Sequence, residues 1–264
     1  MVDEAARAFE GRRSQPHEQG LVFGEIADEY DRARPSYPDE LFDAVIEHGS
    51  LRAGDATLEI GAGTGKATRG FAARGLVVHA LEPSPGMARV LRATGVAVEE
   101  TTFEEWEPRD AAFRLAFAAQ AWHWVHDAQR YAKVAAALAP GATLALFWNK
   151  GRELPQPLRA DNDAAYHEHA PRLTSATGSW ELDRTLDEIA AVDAFRPPTK
   201  RVFTWYQTYT TREWLELLGT HSDHRILPEE QRVRLHAAVG HAINKHGGHI
   251  DVTYDATLYL ATRN

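Results

Sequence analysis

The chain has 264 residues, 44% of them hydrophobic, enough for one large domain or a domain with a small cap. Its formal charge of −9 disfavours a nucleic-acid backbone or an anionic membrane as partner, because both demand clustered Lys and Arg. With no cysteine there are no disulfides, thiolate nucleophiles or Cys-based metal sites.

Residues 1–22 mix charges of both signs without an apolar run, so they read as a flexible arm and not as a signal peptide. No segment approaches the roughly 18 apolar residues of a membrane span, and the expected location is the cytoplasm. Residues 23–264 then read as a single domain. Its first part, 23–50, holds a short helix ending at Arg34 before Pro35, and a second helix that Asp39 can cap and Gly49 can end. Together they form a candidate lid. From 51 to 150 the pattern is regular: a strand at Ala56 to Ile60, a helix from Lys66 closed by Gly75, and a strand from Leu76 to Leu81. A helix follows with Ser84 as cap and Pro85 in its first turn, then strands at Val96 to Glu99 and Arg114 to Ala118, a helix over about 128–138 and a fifth strand, ATLALFWN.

This alternation predicts an α/β, Rossmann-like, mostly parallel sheet with helices on both faces. Residues 151–198 lose the alternation and read as a helical lid insertion. In 199–264 the run Arg201 to Tyr209 is a strand, Thr210 and Glu213 form a capping box, Pro228 opens a longer helix, and HIDVTYDATLYLA alternates as a half-buried last strand.

The stretch Thr57 to Gly70, TLEIGAGTGKATRG, puts bare backbone between a strand and a helix, where a ligand can approach closely. A dinucleotide asks for G-x-G-x-x-G, but Gly61, Gly63 and Gly65 give G-x-G-x-G and Lys66 holds the position of the third dinucleotide glycine. Glu59 would repel a pyrophosphate and suits a ligand bringing an ammonium group, which S-adenosylmethionine does. Glu82, at the end of the second strand, can accept both ribose hydroxyls of either cofactor. An NAD-dependent oxidoreductase, and a protein that binds S-adenosylmethionine without transferring its methyl, remain the alternatives.

At LEIGAGTG, FGEIADEYDRARPSYP, HALEPSPGM and AAQAWHW the chain resembles the class I S-adenosylmethionine-dependent methyltransferases, over about Phe23 to Asn149. These segments look like the small-molecule branch that includes trans-aconitate methyltransferase-like proteins. The resemblance implies that Glu59, Gly61, Gly63 and Gly65 surround the methionine end, that Glu82 holds the ribose and that Pro83 and Met87 pack on the adenine. It places Thr102 and Phe103 where the family often has Asp and an apolar residue, adds Gln120 to the cofactor set, and implies an antiparallel last strand. No DPPY-like or NPPY-like motif follows the fourth strand, which agrees with a small-molecule acceptor and no nucleic acid.

In the candidate lid, Tyr30 and Arg34 can close over the cofactor, and Arg32 or Arg34 can hold a carboxylate. The substrate set is Tyr37, Trp122, His123 and Trp148. His123 is the candidate general base, since an unperturbed imidazole titrates near neutrality; the bland alternative is a capping or core histidine. Trp122 and Trp124 are expected to face opposite ways, with Trp124 in the core. Thirteen histidines include His167-x-His169 and His221-x-x-His224, but neither sits in a recognisable metal motif, so no metal is expected.

Overall fold

Alternating apolar runs and glycine-closed helices build three layers around one sheet. The computed structural model describes residues 24–108, 110–126, 129–173 and 180–264, with side chains left out at 180–183. The expected arm, 1–22, lies outside the described residues, as does the side chain of Trp180. In chain order the elements are α1 (Ala27–Ala33), α2 (Asp39–Gly49), β1 (Ala56–Ile60), α3 (Lys66–Ala72), β2 (Val77–Leu81), α4 (Pro85–Arg92) and β3 (Ala97–Glu99). There follow β4 (Phe113–Ala119), a 3₁₀ turn at Trp122–Trp124, α5 (Arg130–Ala137), β5 (Leu138–Gly151), α6 (Leu158–His169) and α7 (Trp180–Ala190). The last third holds β6 (Thr199–Thr210), α8 (Thr211–Gly219), α9 (Ser222–Arg225), α10 (Glu229–Lys245) and β7 (His249–Thr262).

The seven strands run in the order β3-β2-β1-β4-β5-β7-β6. Strands β1 to β5 pair in parallel, and β7 lies antiparallel between β5 and β6. Successive side chains on β4 point to opposite faces. Leu115 and Phe117 therefore meet α2 and α3 through Phe42, Val45 and Phe71, while Ala116 and Ala118 meet α5 through Val134 and Ala135. A third cluster joins α6, α8 and α10 at the outer end of β7, through Leu158, Leu217, Leu235 and Ile250.

The reading of local signals holds at most elements and fails at three caps; at α4, Ser84 takes the N-cap position but its side chain makes no capping hydrogen bond. Asp39 does not cap α2: Pro38 holds the N-cap and Asp39 is the first helical residue, so its side chain only adds negative charge to the first turn. The left-handed residue that ends α2 is Ser50, at φ 47°, and not Gly49. Gly49 is instead pressed against Leu51 and Thr143, where an added Cβ would come within 2.9 Å of both side chains. The Thr210–Glu213 capping box forms as expected. Strand β5 extends well beyond the predicted ATLALFWN at both ends, because parallel pairing with β4 begins at Leu138 and antiparallel pairing with β7 continues to Gly151.

Gly70 inside α3 answers to packing. A Cβ there would lie 2.2 Å from Phe42, a ring fixed edge-on between Phe71 and Phe147. Gly70→Ala should therefore lower stability in urea unfolding by about 1–3 kcal/mol, against the usual gain from Ala in a helix.

Candidate active site

The carboxyl ends of β1, β2 and β4 open into one continuous cavity of about 1350 Å³, which reaches across to α6, α8 and α9. A single small-ligand site occupies roughly 300–1,000 Å³, so this cavity has room for two molecules side by side.

At the sheet end, β1 delivers Glu59 into the core, 1% exposed, where the Thr68 hydroxyl donates to its carboxylate. Burial above all, helped by the nearby Glu82 charge, pushes Glu59 up to about 8. In the free protein it is a neutral acid near pH 7. Glu82, also buried, accepts the Gly63 N–H at 2.7 Å on one oxygen and the Ser84 N–H at 2.9 Å on the other. These two donors lower its pKa, yet burial outweighs them and the net shift is upward. Two N–H groups thus fix the plane of the Glu82 carboxylate while each oxygen keeps a lone pair. Gly61 and Gly63 adopt left-handed φ values of 69° and 58°, and a Cβ on Gly63 would meet nothing within 4 Å. That free space in front of bare backbone, beside two buried carboxyl groups, suits a nucleoside carrying a cationic amino-acid tail.

Most residues singled out in the sequence line this cavity: Tyr30, Arg34, Tyr37, Glu59, Gly61, Gly63, Glu82, Pro83, Met87, Thr102, Phe103, Gln120 and His123. Gln120 sits at φ 57°, uncommon for a residue with a side chain, and its amide donates to the Asn149 carbonyl at 3.0 Å. The Thr102 hydroxyl is engaged by Glu105, accepting its N–H and donating to its carboxylate, so it caps a turn at the cavity wall.

Five expectations need correction. Gly65 is absent from the cavity wall: a Cβ there would lie 2.4 Å from Leu91, so this glycine lets α4 pack against the loop. Trp122 is 2% exposed and packs on Tyr131 and Phe103, whereas Trp124 is 39% exposed and lines the cavity, the reverse of the expected assignment. The segment is a 3₁₀ turn and not a strand, so alternation gives no guide to its faces. Trp148 stays outside the wall, behind His123, and its indole N–H donates to His123 Nδ1 at 3.2 Å. That bond occupies the Nδ1 lone pair, so the neutral ring carries its proton on Nε2 and presents a donor. Burial, with His126 and Arg130 adding repulsion, also pushes His123 down to about 4. A general base is therefore the wrong role for it. Arg32 is exposed and makes no part of the wall.

Sequence patterns showed the spacing of His221 and His224 but not the far wall they form, where Asn149, Tyr166, His221 and His224 face the same space. His221, Asp223 and His224 bring one ligand-type atom each within 4.8 Å of one another. Both nitrogens of His224 already hold partners, Tyr166 at 3.0 Å and His236 at 3.1 Å. Arg34, just after α1, donates to the Thr220 carbonyl at 2.9 Å and lies over the Tyr30 ring. Asp31 pairs with Arg69 at 2.7 Å and Asp28 with Arg89 at 2.6 Å, which ties α1 to α3 and α4.

Residues 57–141 match the family model described as "Methyltransferase domain". A curated relative, an uncharacterised methyltransferase of Mycobacterium tuberculosis, is 39% identical over 158 residues, covering 55% of this chain and 62% of that protein. The chain thus spans less than two thirds of that relative's length. A ribosomal RNA small subunit methyltransferase A from Anaeromyxobacter is 32% identical over 204 residues, covering 66% of this chain and 67% of that one. The chain belongs to the class I S-adenosylmethionine-dependent methyltransferases. Their fold is seen as well in a structure described as a type II methyltransferase from Anaeromyxobacter dehalogenans, with TM-score 0.61 at 24% identity, covering 86% of this chain and 97% of that one. The expected sheet, with its antiparallel last strand, is the one observed. Among the described residues no helix is long and apolar enough to cross a membrane.

The buried acid has a measurable consequence. The unfolded Glu59 carboxyl ionises from its ordinary value of 4.5, while the folded one stays protonated until about 8. Folding stability from this group is complete below pH 4.5 and is lost as pH rises towards about 8, by an amount on the order of a few kcal/mol. Urea melts of the ligand-free protein at pH 5.5 and 8.5 should show this loss, and Glu59→Gln should remove it.

Proposed function

We propose that this protein transfers the methyl group of S-adenosylmethionine to a small-molecule acceptor. The observation that carries the reading is the single large cavity with a nucleoside-type end, Glu59, Gly63 and Glu82, continuous with a separate wall of aromatic and histidine side chains. The segments FGEIADEYDRARPSYP and HALEPSPGM support an acceptor of the kind used by the trans-aconitate methyltransferase-like branch. The ribosomal RNA relative favours a nucleic-acid acceptor, but a formal charge of −9 opposes a polyanion.

When bound, S-adenosylmethionine supplies an electrophilic methyl group on a sulfonium. Everything else is the work of the chain. Glu82, with its plane set by Gly63 and Ser84, accepts the ribose hydroxyls; Met87, Pro83 and Phe103 cover the base. Glu59 takes the ammonium end, and a cation at that point favours its charged form, so Glu59 gives up its proton on binding. Gly61 and Gly63 let the backbone approach. His123 Nε2–H, held by Trp148 behind it, orients an acceptor oxygen or nitrogen. The α1 segment, with Tyr30 and Arg34, acts as a lid that excludes water and aligns the two molecules, the main demand of an in-line displacement.

Thermal unfolding with S-adenosylhomocysteine and with NAD tests the cofactor. A rise with S-adenosylhomocysteine is expected, and a rise with NAD alone would overturn the reading. Calorimetric titration with S-adenosylmethionine near pH 7, in buffers of different ionisation enthalpy, should show release of about one proton, and Glu59→Gln should abolish that release. Methyl transfer itself is read as S-adenosylhomocysteine formed with a panel of small hydroxyl, amine and acidic-carbon acceptors.

A further inference from the structure

Methyl transfer to an O–H, N–H or acidic C–H leaves one proton to dispose of, and His123 is in no state to take it. The far wall of the cavity offers another route. Tyr166 on α6 lines the cavity, and its hydroxyl lies 3.0 Å from His224 Nε2. His224, 2% exposed, has its other nitrogen, Nδ1, 3.1 Å from Nε2 of His236 on α10. His236 is half-buried. Three groups from three helices therefore form one hydrogen-bonded line from the cavity to the protein's outer layer.

From these contacts we infer that Tyr166, His224 and His236 form a proton wire that carries the acceptor's proton from the cavity to solvent. This rests on the methyl-transfer reading for its direction of use. The neutral line has two self-consistent polarities. In one, Tyr166 O–H donates to His224 Nε2, His224 Nδ1–H donates to His236 Nε2, and His236 carries its proton on Nδ1. In the other, His236 Nε2–H donates to His224 Nδ1, His224 Nε2–H donates to Tyr166, and Tyr166 donates into the cavity. Passing one proton outward converts the first into the second. The Tyr166 oxygen gains the acceptor's proton as its own moves to His224 Nε2, the His224 Nδ1 proton moves to His236 Nε2, and the His236 Nδ1 proton leaves. Once the products have left and water fills the cavity, the line resets by the reverse relay: His236 Nδ1 takes a proton from solvent, each proton moves back one place, and Tyr166 gives one to the cavity water.

The surroundings keep the line neutral. Burial is the main cause that lowers both histidines, with Arg232 adding repulsion at each; Asp223 opposes it at His224. His236 is pushed down to about 4. His221, itself lowered well below the ordinary range by burial and by Arg34, stands edge-on to His224 with ring centroids 5.9 Å apart. Burial and Asp223 both raise Tyr166, which keeps its proton. No charged intermediate has to persist on the wire.

The test has two arms, both on the full chain. In ¹⁵N-histidine NMR with S-adenosylhomocysteine present, His224 and His236 should share one tautomer, both Nδ1–H or both Nε2–H, and remain neutral at pH 6. Opposite tautomers, or a His224 tautomer unaffected by His236→Gln, would overturn the wire. In the second arm, S-adenosylhomocysteine release is followed near pH 7 with S-adenosylmethionine and 4-methoxyphenol, which is still protonated there, as probe acceptor. His236→Gln, with thermal unfolding unchanged, should lower kcat about tenfold or more, leave KM for S-adenosylmethionine unchanged and be partly rescued by added imidazole. Tyr166→Phe should lower kcat similarly without rescue. Unchanged kcat and pH profile in His236→Gln would overturn the proposal. Absence of turnover by the unaltered protein with the whole acceptor panel counts instead against methyl transfer, and the tautomers then decide the wire alone.

Discussion

The site depends on one unfavourable act, the burial of a carboxyl group at the end of the central strand. Glu59 is shut into the sheet with Thr68 donating to it, near a second buried carboxyl, Glu82. Two anions cannot be held there together without a counter-charge, so the free protein keeps a proton on Glu59. A diphosphate would deepen the conflict. A ligand with a cationic tail resolves it, and the backbone left bare at Gly61 and Gly63 gives such a ligand access.

The remaining architecture serves that point. The two core layers pack β1 and β4 from both sides, and Glu59 and Gln120 stand at the ends of these packed strands. The C-terminal helices, clustered over the end of β7, raise a wall opposite the glycine loop. Between them lies the space where a donor and an acceptor can meet.

The parts of this legible in the sequence are those whose causes are local. The glycine register, the position of Glu59 and Glu82, the capping box at Thr210 and the alternation of β7 each depend on residues within a few positions of one another. Asp39 misled because a good capping side chain was displaced one place by Pro38, whose extended backbone is itself a suitable N-cap conformation. His123 misled for another reason: an imidazole is a base by default, and its partner Trp148 comes from the next strand. The wall of Tyr166, His221 and His224 is assembled from α6 and the segment around α9, far apart in the chain, and periodicity carries no information about such meetings. The spacing His221-x-x-His224 was visible, but its hydrogen-bonding partners were not.

The fastening of α1 is uneven. Its anchors toward α3 and α4 are ion pairs, of which Asp28 with Arg89 is more than half exposed on both sides, while its far end is held by Arg34 on the Thr220 carbonyl. Dissolved electrolyte loosens the first kind of anchor and scarcely touches the second. Of the fastenings of this segment, the ionic composition of the surrounding fluid therefore weakens those at Asp28 and Asp31 and leaves the one at Arg34 in place.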